Sequence, residues 1–238
     1  MTFDLAEIFN PRSRTSSDVS AQVEPPAFAL VTPSHRTGTY RRLFKRAFDV
    51  TAIFLSVPVI VPVVGALAIV VALEGGNPFY TQMRVGRQGK KFRMWKLRSM
   101  VPDADARMND YLQSNPTARA EWEKTQKLQN DPRITAVGRI LRKSSLDELP
   151  QLWNVLKGDM SLVGPRPMMI SQQLMYPGTA YYALRPGITG YWQTAGRNRT
   201  TFEARADYDT AYEAALSLKT DLEILMRTVS VVLKGTGY

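Results

Sequence analysis

The sequence has no cysteine, and its 238 residues include a single histidine, His35. Without cysteine there can be no disulfide, no thiolate nucleophile and no cysteine-ligated zinc. One histidine argues against a Ser-His-Asp triad and against a histidine-rich metal site. If the protein is an enzyme, its chemistry therefore falls to Asp, Glu, Lys, Arg or Tyr side chains.

Charged residues are missing from one long stretch, the 23 residues from Thr51 to Leu73. A straight helix of this length measures about 34 Å, which is enough to cross a bilayer. A buried core helix with no polar face would be unusual in so small a protein. We therefore expect this stretch to enter a membrane.

The apolar stretch also contains helix-breaking residues, because Pro58 and Pro62 follow Ser56 in its first half. Each proline removes a backbone hydrogen bond and clashes with the preceding turn, so we expect a bend here. Both flanks are basic, and positive flanks favour the cytoplasmic side. We predict a re-entrant helix with its hinge at these three residues and both ends in the cytoplasm; the alternative is a kinked single span.

The chain carries 31 Lys and Arg residues against 21 Asp and Glu residues, a formal net charge of +10. Nucleic acid, an anionic membrane or a phosphorylated substrate would each suit such a surplus. Residues 1–39 lack apolar periodicity and are predicted to be a disordered tail. Residues 40–74 are predicted to form a basic segment followed by the membrane helix. Residues 75–238 are predicted to form a cytoplasmic catalytic domain.

Two alternating segments, Phe79–Val85 and Lys91–Leu97, predict a β-hairpin with its turn at Gly86–Gly89. Its cations belong either to a solvated edge or, as Lys96 or Arg98, to a phosphate site. Downstream, residues 102–129 predict two helices broken near Asn115 and Pro116.

The C-terminal region predicts amphipathic helices, with Thr220 and Glu223 as a capping box. The apolar stripe of the last helix packs in the core or lies on a membrane interface; it consists of Leu222, Leu225, Val229 and Val232. The expected fold class is α+β: mainly helical, with a small β-hairpin, an N-terminal re-entrant membrane helix and interfacial amphipathic helices.

Two adjacent carboxylates, Asp147 and Glu148, lie between the cations Arg142 and Arg166. Cations around carboxylates suit a phosphate substrate and leave the acids for chemistry or metal binding. The same pattern also fits a helix start, because Ser145-x-x-Glu148 matches a capping box and an anion is favoured there. The residues alone favour neither of these two interpretations. In both, a helix is expected to follow and to end at Gly158.

Three smaller motifs each allow two interpretations. Asp103-Ala104-Asp105 resembles a metal-binding pair but is better explained as a helix cap. The prolines around Arg166 restrict that arginine, either for gripping a phosphate or as a rigid surface turn. Tyr191 or Trp192, in a glycine-rich stretch, either faces a base or packs in the core.

Several segments together resemble the bacterial sugar transferases, the monotopic polyprenyl-phosphate phosphoglycosyl transferases, and most closely those that initiate exopolysaccharides with galactose phosphate. The matching pieces cover the chain from about residue 45 onward: Lys45-Arg46-x-x-Asp49, Lys96-x-Arg98-Ser99-Met100, Asp131-Pro132-Arg133-Ile134-Thr135, Leu141–Leu152, Gly158–Pro167 and Arg185-Pro186-Gly187-Ile188-Thr189-Gly190.

The resemblance implies transfer of a sugar 1-phosphate from a UDP-sugar, galactose or glucose being expected, to undecaprenyl phosphate at the cytoplasmic face of the bacterial inner membrane, with release of UMP. It implies that Asp147 is the nucleophile and contacts Mg²⁺, and that Glu148 is also required. It implies an anionic phospholipid membrane as a partner, no nucleic acid, and a possible homo-oligomer. It assigns phosphate or substrate binding to four cations: Arg142, Arg166, Lys96 and Arg197.

Two other classes of protein remain as alternatives. A metal-dependent nucleotide-sugar glycosyltransferase would use Asp103 and Asp105 and would release UDP rather than UMP. A non-catalytic basic membrane scaffold would turn over no donor, and if it bound nucleic acid its binding would weaken steeply with salt.

Overall fold

A computed structural model describes residues 39–125, 128, 130–195 and 200–233. The predicted disordered tail, apart from Thr39, and the predicted phosphate ligand Arg197 lie outside these residues. The division between a membrane segment and a catalytic domain stays a prediction.

The described residues are mainly helical and carry two small sheets, which confirms the predicted α+β class. The α-helices are α1 Lys45–Leu73, α2 Ala104–Ser114, α3 Pro116–Thr125, α4 Ala136–Ser144, α5 Gln151–Lys157, α6 Ala180–Ala183, α7 Tyr191–Ala195, α8 Arg205–Ala215 and α9 Leu218–Leu233. The strands are β1 Phe79–Val85, β2 Lys91–Leu97, β3 Ser161–Val163 and β4 Gly187–Thr189. Single turns of π or 3₁₀ helix lie at Tyr40–Phe44, Arg87–Gly89, Leu146–Glu148 and Ile170–Met175.

The predicted hairpin is confirmed with its bounds. Strands β1 and β2 pair antiparallel from Phe79 opposite Leu97 to Val85 opposite Lys91. The second sheet is parallel, and it places β3 beside β4. The predicted break between α2 and α3 is also found, and the Asn115 side chain accepts a hydrogen bond from the Ala118 amide at the start of α3 (3.0 Å).

Helix α1 shows no break at the predicted hinge, because the helix continues through Pro58 and Pro62. The hydroxyl of Ser56 donates a hydrogen bond to the carbonyl of Ile53, one turn earlier in the helix (2.8 Å). It is the one helix among the described residues that is long and apolar enough to cross a membrane. Its return to the cytoplasmic face stays a prediction.

Both ends of α1 contact the rest of the protein, while its middle is exposed. Near its start, Asp49 is buried and accepts hydrogen bonds from the Ser161 hydroxyl (2.8 Å) and the Leu162 amide (3.1 Å). Near its end, Val71 is buried, and its carbonyl accepts a hydrogen bond from the Arg98 guanidinium (2.9 Å). Between these two attachments, Ile53 and Val57 pack in the core, whereas five other apolar side chains face outward: Phe54, Leu55, Val59, Val61 and Val63.

Helix α9 begins at Leu218, and the predicted cap at Thr220 is wrong. Ser217 accepts the hydrogen bond from the Thr220 amide (3.2 Å), whereas the Thr220 hydroxyl donates to the Ala215 carbonyl (2.6 Å). The inner face of the helix contributes Ile224 to the core. Its outer face is a stripe of exposed apolar side chains: Leu218, Leu222, Met226, Val229 and Val232.

Helix α5 is fastened to the hairpin by the side chain of Asn154, which is completely buried. Its oxygen accepts from the Trp95 amide (3.0 Å), and its nitrogen donates to the Arg93 carbonyl (2.7 Å). The helix then ends at Gly158, whose φ of +88° is left-handed, as predicted. The hairpin is thereby held against the segment that carries the two adjacent carboxylates.

We expect Asn154→Asp to destabilise the fold by about 2 kcal/mol or more, because the carbonyl of Arg93 would lose its buried donor and face an oxygen. Urea unfolding measures this change. The matched control is Asn115→Asp, where the side-chain oxygen caps a helix and aspartate caps equally well. The change there removes only a long donation to the Tyr111 hydroxyl (3.4 Å). Equal stability of the two variants would contradict the role given to Asn154.

Candidate active site

Asp147 and Glu148 lie in the 3₁₀ turn between α4 and α5. Ser145 ends α4 with a left-handed φ of 58°, and its side chain caps nothing. The N-cap of α5 is Pro150 rather than either carboxylate. The helix-capping interpretation is therefore wrong, because the capping box does not form and Asp147 precedes the α-helix by a separate turn.

Lys96 on β2 reaches both carboxylates from the hairpin. Its Nζ lies 2.7 Å from Glu148 Oε1 and 3.6 Å from Asp147 Oδ2. The second candidate, Arg98, directly follows this strand and instead donates to the α1 carbonyl of Val71. Strand β2 and the residue after it thus supply one cation to the carboxylates and one to helix α1.

Arg142 on α4 is positioned by contact with the segment that follows β2. Its Nε donates to the Ser99 hydroxyl (2.9 Å). Helix α4 starts with Thr135, whose hydroxyl accepts from the Gly138 amide (2.8 Å). A side chain at Gly138 would overlap the backbone of Ser99, so this glycine allows the close approach of α4.

Burial is the main cause of the pKa shift of Asp147. Burial raises the pKa of Asp147, and the charge of Glu148 adds to this effect, whereas Lys96 and Arg142 act to lower the pKa. Burial likewise lowers the pKa of the Arg142 guanidinium, with Asp147 opposing it. The site therefore holds a buried carboxylate close to two cations.

The exposed Arg166 extends from a backbone that is braced at both neighbouring prolines. The Pro165 carbonyl accepts from the Gly187 amide (2.8 Å), and the Pro167 carbonyl accepts from the Arg84 guanidinium (3.3 Å). The Arg166 guanidinium carbon lies 5.7 Å from the centre of the Trp192 ring. This arginine is close enough to Arg84 to lower its pKa.

Tyr191 and Trp192 are buried and belong to a core cluster with Val163, which confirms the core interpretation. One face of the Trp192 ring is covered by Arg205, whose guanidinium carbon is 4.1 Å from the ring centre. This ring is therefore engaged with arginine side chains rather than open to a base.

Asp103 occupies the N-cap position of α2 but makes no capping hydrogen bond, and both it and Asp105 are exposed. Within the described ranges, no group of three or more His, Asp and Glu side chains is arranged to hold a metal ion. The structure brings no third protein ligand to this pair.

Two residues near the site were missed by the sequence patterns. Arg84 counted only as part of a basic flank, and Arg205 lies in a helix with no recognised motif. Both are half-buried arginines, and they are placed by contacts with other segments: Arg84 with the Pro167 carbonyl and Arg205 with the Trp192 ring. The signal that could have found Arg84 is its position on the same hairpin face as Lys96, because residues paired across strands share a face.

Comparison with known proteins gives a consistent result. A family model described as bacterial sugar transferase matches residues 40–235. The UDP-galactose-lipid carrier transferase of Erwinia amylovora is 45% identical over 82% of this chain and 42% of its own length. The undecaprenyl-phosphate galactose phosphotransferase of Salmonella typhimurium is 46% identical over the same shares. The exopolysaccharide production protein ExoY of Rhizobium meliloti is 42% identical over 81% of this chain and 87% of its own length.

The chain thus spans about two fifths of the length of the first two of these relatives and most of the third. The matched region includes the hairpin, the two carboxylates and the braced arginine. The family model covers far more than half of the sequence, and the chain belongs to the bacterial sugar transferase family.

Proposed function

We propose that the protein transfers a sugar 1-phosphate from a UDP-sugar, carrying galactose or glucose, to undecaprenyl phosphate and releases UMP. Two of the relatives are named as a UDP-galactose-lipid carrier transferase and an undecaprenyl-phosphate galactose phosphotransferase, which supports this substrate class. The observation that carries the proposal is the buried Asp147 beside the half-buried Glu148, bridged by Lys96 and adjoined by Arg142. Such a pair suits phosphoryl chemistry with a carboxylate nucleophile.

In the first half-reaction, an oxygen of the Asp147 carboxylate attacks the phosphorus that bears the sugar. The bond from this phosphorus to the bridging oxygen breaks, and its electron pair leaves with UMP. In the second half-reaction, a phosphate oxygen of the lipid attacks the same phosphorus and frees the carboxylate. The covalent intermediate lets a soluble donor and a lipid acceptor use one site in turn.

The surrounding side chains have separate tasks in this scheme. Lys96 orients both carboxylates and lowers the pKa of Asp147, which keeps more of it ionised for attack. Arg142 acts in the same direction and offers N–H donors to a phosphate oxygen. Glu148 is held by Lys96 (2.7 Å), so its oxygens are fixed beside the nucleophile.

The carboxylates also fit the Mg²⁺ that the family resemblance implies. Mg²⁺ prefers oxygen ligands and is commonly held by one or two carboxylates, with phosphate and water completing its shell. The described residues supply such a set at Asp147 and Glu148, with no third acid to complete a protein cage. When bound, Mg²⁺ would supply neutralisation of phosphate charge.

The membrane is proposed to lie against the exposed apolar surfaces of α1 and α9. Both ends of α1 contact the same domain, at Asp49 and at Val71. A helix that crossed the bilayer would carry its two ends to opposite sides, so these contacts support a re-entrant arrangement on the cytoplasmic face. The apolar stripe of α9 would then rest on the interface.

The topology is tested with single cysteines, since the chain has none of its own. We expect neither Thr39→Cys nor Glu74→Cys to react with an impermeant thiol reagent in intact cells, and both to react after permeabilisation. Glu74 is used because Gly76 has a φ of +79° and lies against the Arg98 guanidinium. Lys157→Cys serves as the cytoplasmic reference, and labelling of only one end of α1 in intact cells would establish a true span.

Asp147→Asn should abolish release of UMP from UDP-sugars, because an amide is not a useful nucleophile toward phosphorus. The same change should raise the free energy of unfolding at neutral pH. The raised pKa of Asp147 means that its ionised form penalises the fold, and this penalty grows as pH rises through the ordinary and then the raised pKa.

Nucleotide assays of membranes with undecaprenyl phosphate and a panel of UDP-sugars, together with melting curves, measure both effects of Asp147→Asn. The stability gain should vanish below the ordinary pKa of aspartate. An active asparagine variant would refute the nucleophile. UDP as the wild-type product would instead indicate a glycosyltransferase that leaves the sugar without its phosphate, and no turnover at all would indicate a scaffold.

A further inference from the structure

Three arginines from distant parts of the chain meet beside the candidate active site. Arg84 comes from β1, Arg166 from the braced turn after β3, and Arg205 from the start of α8. Arg166 and Arg205 both lie over the Trp192 ring, at 5.7 and 4.1 Å from its centre. Arg84 is joined to the same turn through the Pro167 carbonyl. We call Arg84, Arg166 and Arg205 the arginine cluster.

The positive charge of the arginine cluster is poorly balanced. Within the described part of the chain, none of the three forms an ion pair with a carboxylate, and the Nε atoms of Arg84 and Arg205 are buried without a partner. Burial, and then the neighbouring Arg166, lower the pKa of both Arg84 and Arg205 to about 10. Grouping like charges in this way is costly unless an anion joins them.

Asp209 lines a small cavity together with Arg166 and Arg205, and its charge only partly balances that of the arginine cluster. It accepts a hydrogen bond from the Tyr176 hydroxyl (2.9 Å), and burial raises its pKa to about 7. Near neutral pH it is therefore only partly ionised.

Arg84 donates to the Pro167 carbonyl and to the Gln82 side chain. The side chains of Arg166 and Arg205 donate no hydrogen bond within the described residues. The cluster therefore keeps a net positive charge and available N–H donors on these two arginines, which is the arrangement that binds a phosphate.

The position of the cluster relative to the carboxylates indicates which phosphate it would hold. Lys96 contacts both carboxylates, and Arg84 lies on the same face of the hairpin, nearer to its turn. Arg84 is also close enough to Glu148 for the two charges to interact. Two groups of cations thus adjoin the acidic pair: Lys96 with Arg142, and the arginine cluster. A sugar-nucleotide donor likewise has two phosphates, one attacked and one departing.

We propose that Arg84, Arg166 and Arg205 form the subsite for the departing nucleoside monophosphate. This rests on the function proposed above. As the Asp147 oxygen bonds to the sugar-bearing phosphorus, the bond from that phosphorus to the bridging oxygen breaks, and the electron pair stays on the bridging oxygen. The nucleotide phosphate becomes a dianion, and the cluster neutralises this added charge.

The shared ligand chemistry is a phosphate monoester, which both UMP and the lipid acceptor carry. The cluster is assigned to UMP because the donor binds with both phosphates present at once. The test therefore measures the two sources separately: UMP and uridine binding to the detergent-solubilised full chain by titration calorimetry, and the KM for undecaprenyl phosphate in the transfer assay.

We expect Arg205→Met to weaken UMP binding at least about tenfold, since a charge-assisted contact is lost, and to leave the much weaker uridine binding unchanged. The KM for undecaprenyl phosphate should not change. Arg166→Met should act in the same direction, and because Arg166 is exposed its truncation keeps the fold intact. The matched control is Arg93→Met, an exposed arginine of β2 that loses the same charge outside the cluster.

Unchanged UMP binding in both cluster variants would overturn the subsite, and so would a raised KM for the lipid with UMP binding intact. These results are separable from failure of the proposed function. Wild-type protein that binds UMP through the cluster but releases none from any UDP-sugar would refute the function alone. Wild-type turnover with cluster-independent UMP binding would refute the subsite alone.

Discussion

The contact of Lys96 with the buried Asp147 and the half-buried Glu148 is the interaction on which the site depends. Adjacent acids held out of water repel each other and favour their protonated forms. Lys96 offsets this at 2.7 Å from Glu148 and 3.6 Å from Asp147. Because the lysine belongs to β2 and the acids to the turn before α5, the site exists only while hairpin and helix stay together. Asn154, which bonds the backbone of β2 from α5, maintains this pairing.

The same hairpin connects the site to helix α1. Arg98 follows Lys96 by two residues and donates to the carbonyl of Val71 at the end of α1, where orphan carbonyls favour a cation. At the other end of α1, Arg46 donates to the last carbonyls of α5, including that of Leu156. The helix proposed to enter the bilayer is thus attached to both elements that form the site, which would fix the nucleophile at a constant depth relative to a lipid phosphate.

Local features of the fold could be predicted from the sequence, and long-range ones could not. The alternation of polar and apolar residues predicted the hairpin, and Gly158 predicted the end of α5. Both features depend on residues that are close in the sequence. The cap of α9 is Ser217 rather than the predicted Thr220. Serine and threonine both cap helices, and the sequence offers both residues near this helix start. Arg98 and Lys96 look alike in sequence, yet one contacts a helix end and the other the carboxylates. The grouping of Arg84 with Arg205 required contacts over more than a hundred residues, which no local pattern carries.

The central claim is that Asp147 carries the sugar phosphate during transfer, and intact-protein mass measurement tests it most directly. Purified protein is incubated with its UDP-sugar and Mg²⁺ in the absence of lipid acceptor. The account predicts a mass increase equal to one sugar phosphate less one water, mapped to Asp147, released by hydroxylamine and lost on adding undecaprenyl phosphate. An adduct mapped to Glu148, or transfer to the lipid by protein that never carries an adduct, would contradict it.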